Sequence, residues 1–159
     1  MLTIVLNWIY ILFITFCLGF VFMQFSRKVL GYTFRSVNTV LMTGIIISTV
    51  YAQFFSIFYR VYTEANVILL VFCGLSCVIL RKQMLEYIRE NFRSCSLATK
   101  CMIPLLFLVW VIFTSRGHNL FDMDLYHGQS IRWIEEYGVV KGLGNLHMRF
   151  GYNRAIFAS

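Results

Sequence analysis

Four long apolar stretches, parted by short polar ones, fill most of the first 115 residues. The first runs from Leu2 to Phe25 and is about as long as a bilayer core requires. No basic residue precedes it, it is too long for a signal-peptide core, and no small-x-small cleavage site follows. Arg27, Lys28 and Arg35 follow instead, so the stretch reads as a first transmembrane helix. The second covers residues 37–59. Its Thr39, Thr43 and Gln53 are more polar than a lipid-facing surface favours, so one side is expected to pack on neighbouring helices. The third, about residues 65–80, is short. The fourth covers residues 96–115, with Pro104 near its start and Trp110 inside.

The pattern changes twice. Residues 81–93 read RKQMLEYIRENFR, with Met84, Leu85, Ile88 and Phe92 at helical spacing among basic side chains. This predicts an amphipathic helix lying on the membrane surface. After Ser115, the stretch Phe121–Asn153 is the only long part that is not lipid-like. Asp122 or Asp124 is placed to cap a helix over about residues 124–137, which Gly138 would end. Tyr126, Trp133 and Tyr137 fall on one side of that helix, as in an interfacial helix, and Arg132 and Glu136 are spaced for an i, i+4 pair. Ala155–Ser159 reads as the opening of another apolar helix, so the chain is expected to be the N-terminal piece of a longer multi-spanning protein.

Composition agrees with this layout. Of 159 residues, 59% are hydrophobic and only 13% charged, where a soluble domain has about a quarter charged. The expected fold class is all-α: an integral membrane protein with four transmembrane helices, a surface helix and a juxtamembrane helix. The net charge of +7 points to membrane topology rather than nucleic acid. Arg27, Lys28, Arg35, Arg81, Lys82, Arg89, Arg93 and Lys100 lie in the first and third loops, and only Arg60 in the second. The positive-inside rule then puts the first and third loops in the cytoplasm, and the N-terminus and residues 116–159 on the outer side.

Candidate chemistry is sparse. The five cysteines form no CxxC pair and read as small buried hydrophobes, with Cys73 and Cys77 on one helix face. No histidine spacing suits a zinc site, and Gly138–Gly144 is neither a dinucleotide fingerprint nor a P-loop. No metal or cofactor is therefore expected. An aspartate at the membrane surface can act as a general base, which makes Asp122 the first catalytic candidate and Asp124 the second. His127 stands close enough in sequence to help either one hold a divalent cation. Arg132 and Arg149, with Lys141 and Arg154, could stabilise a phosphate leaving group. The plainer reading of both aspartates is helix capping and interface anchoring.

The segment FDMDLYHGQSIRWIEEYGVVKGLGNLHMRFGYN resembles a stretch of uncharacterised bacterial multi-pass membrane proteins from cell-surface polysaccharide clusters. It is more remotely similar to glycosyltransferases of the GT-C class, which use polyprenyl-phosphate sugars as donors. There an Asp, often beside a Glu and followed by a Tyr, opens the first outer loop and acts as base or metal-associated carboxylate. The resemblance puts Asp122 in that place with Tyr126 after it, while Met123 stands where the Glu would be. Arg149 and Asn153 match the end of the polysaccharide-cluster pattern.

The resemblance implies a glycosyltransferase-like protein of envelope polysaccharide assembly in a bacterial inner membrane. Asp122 and Asp124 would be catalytic, with Tyr126, His127, Arg132 and Arg149 binding substrate. The expected partners are the lipid bilayer, a polyprenyl-phosphate-linked sugar, a glycan acceptor and other assembly proteins, with no nucleic acid. The alternative is a non-catalytic membrane subunit for polysaccharide transport or scaffolding.

Overall fold

A computed structural model of the chain describes residues 2–32, 36–115 and 128–137. All of its regular structure is helical: α1 (Leu2–Leu30), α2 (Val37–Phe58), α3 (Thr63–Ser94), α4 (Leu97–Ser115) and α5 (Gly128–Tyr137). The first four are long and apolar enough to cross a membrane. Local chemistry sets their ends. Helix α1 stops at Gly31, whose φ of 68° is the left-handed conformation that glycine adopts without a Cβ clash. Its N–H returns to the Arg27 carbonyl at 3.2 Å. Helix α4 starts at Ser96, whose hydroxyl accepts the Thr99 N–H at 3.2 Å.

Helix α3 departs from expectation. The span expected to end at Leu80 and the surface helix expected over 81–93 are one continuous helix of 32 residues. No glycine or proline falls between Gly74 and Ser94 to break the backbone hydrogen-bond ladder. Part of the expected lipid-facing side also meets protein: Met84 is buried, and Tyr87 packs edge-on against Phe20 of α1 at 5.5 Å between ring centres. Leu85, Ile88 and Phe92 stay exposed.

The core lies along α1. Phe20, Cys17, Val40 and Cys73 are its most deeply buried side chains. Helices α1 and α2 run antiparallel in close backbone contact. A methyl group built on Gly19 would overlap the Val40 carbonyl, and one on Gly44 would overlap the Thr15 carbonyl. Each helix thus supplies one glycine, four residues from the residue that meets its partner's glycine. This is the small-xxx-small route by which membrane helices gain close packing without a hydrophobic driving force. The buried side of α2 is the ridge Val40, Gly44, Ala52 and Ser56. Thr39 is exposed and Thr43 half-buried, so the packed side of α2 is chosen by size rather than polarity. The Thr43 hydroxyl is satisfied within α2, donating to the Thr39 carbonyl at 2.8 Å.

Helix α3 lies parallel to α1, matching Tyr10 with Asn66, Cys17 with Cys77 and Phe20 with Tyr87 along its length. Helix α4 buries none of its residues. It meets α1 where Trp8 and Trp110 stack edge to face at 6.2 Å.

Candidate functional site

Antiparallel α1 and α2, followed by α3, bring three helix ends together: the start of α1, the end of α2 and the start of α3. A cavity of about 560 Å³ opens between them, and α5 borders it with Ile131 and Glu135. Two inter-helix hydrogen bonds frame it. The Tyr10 hydroxyl donates to Asn66 Oδ1 at 2.9 Å, and the Tyr51 hydroxyl donates to the Ala65 carbonyl at 2.9 Å. Both phenols are half-buried, a burial that a tyrosine tolerates when its O–H has a partner. Asn7, Ser48 and Thr63 add further polar groups, and the aliphatic wall includes Ile11, Leu69 and Leu70.

Helix α5 reaches this end through the loop before α3. The Val61 N–H donates to the Ile134 carbonyl at 3.2 Å. Arg60 in the same loop donates to Glu64 at 2.9 Å. That hydrogen bond, together with the charge of the carboxylate, pushes the Arg60 guanidinium above its ordinary pKa. Arg60–Glu64 is the one ion pair among the described residues, so the i, i+4 spacing of Arg132 and Glu136 produces no pair. Exposed i, i+4 pairs contribute little, and both partners on α5 are exposed.

The electrostatics of the cavity are simple. Among the described residues that line it, Glu135 alone is charged. Hydroxyls, amides, one carboxylate and an apolar wall can hold a hydroxyl-rich ligand with an apolar portion. Among the described residues no group of three or more His, Cys, Asp or Glu is placed to hold a metal ion.

Of the residues singled out from the sequence, Asp122, Asp124, Tyr126, His127 and Arg149 lie outside the described residues. Arg132 is on α5, exposed, and does not line the cavity. Sequence reasoning did not single out Asn7, Tyr10, Tyr51 or Glu135. Asn7 and Tyr10, three apart within an otherwise apolar run, were the available signal, since polar groups inside a span tend to face protein or a cavity. The five cysteines are all free thiols. Cys17 of α1 approaches Cys77 of α3 with 3.3 Å between sulfurs, a convergence that spacing along one helix cannot reveal.

The described residues define a class: all-helical, with four helices able to cross a membrane and a polar cavity at one end of the bundle. The chain belongs to the family described as Domain of unknown function (DUF8201), which matches it over residues 1–159. No curated protein and no solved structure matches it.

Proposed function

We propose that the protein is a membrane glycosyltransferase-like component of envelope polysaccharide assembly, handling a polyprenyl-phosphate-linked sugar at the end of the bundle bordered by α5. The observation that carries this reading is the cavity lining. Tyr10, Tyr51, Asn66 and Glu135 offer hydrogen bonds of the kind sugars use, beside an apolar wall and long apolar helices that suit a polyprenyl chain. Charge placement supports an outer position for this end in a bacterial inner membrane, because the opposite loops carry most of the basic residues.

In this mechanism Asp122, with Asp124 as second candidate, accepts the proton of an acceptor hydroxyl. The oxygen then bonds to the anomeric carbon as the bond to the polyprenyl phosphate breaks. Arg132 and Arg149 stabilise the departing phosphate, and Tyr126 and His127 bind the sugar or acceptor.

The test is sugar transfer in cells whose sole copy carries Asp122→Asn, alongside Asp124→Asn and Glu135→Gln. Asp122→Asn is expected to abolish transfer at unchanged membrane abundance, and Glu135→Gln to raise the KM for the sugar donor. Full transfer with both aspartates replaced would remove the catalytic reading. A second reading, a non-catalytic subunit for polysaccharide transport or scaffolding, is favoured by one observation: no cation lines the cavity among the described residues, Arg132 included.

A further inference from the structure

A second cavity, of about 490 Å³, lies at the opposite end of the bundle between the later halves of α1 and α3. Its apolar floor is Phe20 and Met23. Its rim carries Arg27 from α1 and Glu86 and Glu90 from α3, with Gln24 and Asn91 between. The three charges share the cleft without neutralising one another, since Arg60–Glu64 is the one ion pair among the described residues. The Tyr87 hydroxyl, also at this cleft, is shut off from solvent and lies beside the Asn91 side chain. Asn91, one turn on, uses its amide nitrogen on the Tyr87 backbone carbonyl at 2.8 Å.

The depth of the cleft narrows the ligand. At about 1.5 Å per residue, Phe20 stands about 27 Å and Arg27 about 38 Å along the α1 axis from Leu2. A hydrocarbon core is about 30 Å thick with headgroups beyond it, so the floor falls near the edge of the core and the charged rim among the headgroups.

We propose that this cleft binds a primary ammonium joined through a short link to a phosphate, the headgroup chemistry of phosphatidylethanolamine. Arg27 meets the phosphate, and Glu86 and Glu90 accept hydrogen bonds from the ammonium. A quaternary ammonium has no N–H to donate, and an anionic glycerol headgroup sets a negative charge before two carboxylates. Both should be rejected.

The test is native mass spectrometry of the full chain released from detergent with dihexanoyl phosphatidylethanolamine, phosphatidylcholine or phosphatidylglycerol, and separately with free phosphoethanolamine. Phosphatidylethanolamine should be retained at least fivefold over the other two lipids. Glu86→Gln with Glu90→Gln should erase that preference, and Arg27→Gln should weaken it. Glu64→Gln, at the far end of α3, should leave it intact. Competition by free phosphoethanolamine assigns recognition to the headgroup alone, and its failure assigns it to the intact lipid. Equal retention of the three lipids, or a preference that survives loss of both carboxylates, overturns the proposal. Because Glu86 and Glu90 are both exposed, their neutral variants should fold; the single replacements provide a second reading of the same effect.

Discussion

Gly19 of α1 lies directly against the backbone carbonyl of Val40 on α2, with no room for a Cβ between them. Gly44 repeats the relationship in reverse, against the Thr15 carbonyl. A backbone atom cannot rotate away as a side chain can, so any larger residue must push the helices apart.

Gly19→Ala and Gly44→Ala are therefore each expected to destabilise the protein by about 1–3 kcal/mol, the usual cost of overpacking. Gly74 is the control, because a Cβ there meets nothing within 4 Å. Gly74→Ala should be neutral or stabilising by up to about 1 kcal/mol through helix propensity. Thermal unfolding in detergent, followed by helical circular dichroism, distinguishes the three. Equal effects at Gly19 and Gly74 would contradict the close α1–α2 contact.

The 3.3 Å approach of Cys17 and Cys77 predicts a specific cross-link. On treatment with diamide, which takes up the two electrons and two protons released, the sulfurs should close to about 2.05 Å and tie α1 to α3. Peptide mapping should find Cys17 joined to Cys77, and Cys77→Ser should abolish that product. Cys17 joined instead to Cys101 would overturn the parallel pairing of α1 with α3.

The Tyr10–Asn66 hydrogen bond couples α1 to α3 beside the cavity at the α5 end. Tyr10→Phe and Asn66→Ala should each cost stability, and the double variant should cost less than their sum. Inter-helix hydrogen bonds in membrane proteins average about 0.6 kcal/mol of coupling in such cycles. A coupling near zero would mean that the pair does not form.

Val61 holds α5 through its N–H. Val61→Pro removes that donor and should raise amide exchange across residues 128–137 while α1 and α2 keep their protection. Unchanged exchange in α5 would show that the contact does not secure it.

Much of this architecture is legible without coordinates, because a bilayer imposes a length. An apolar run of about 20 residues reads as a span whatever it touches. The runs at 2–25, 37–59 and 96–115 return as α1, α2 and α4 nearly to their ends. Pattern alone divides α3 in two, because the hydropathy change at Arg81 looks like a boundary. Backbone hydrogen bonding continues regardless of polarity wherever no glycine or proline interrupts it. Helix α5 covers Gly128–Tyr137 of the helix expected over about residues 124–137, and residues 124–127 lie outside the described residues.

Residues and run lengths alone determined that the described residues are helical, how many of those helices can cross a membrane, and which loops are basic. Tertiary structure alone decided that Gly19 meets Val40, that Cys17 meets Cys77, and that Glu135 rather than Arg132 borders the cavity. The reason is physical. Within a span nearly every side chain is apolar, so no periodic contrast marks the face that packs. Shape chooses it: a glycine that admits a carbonyl, or a phenol that reaches an amide on the next helix.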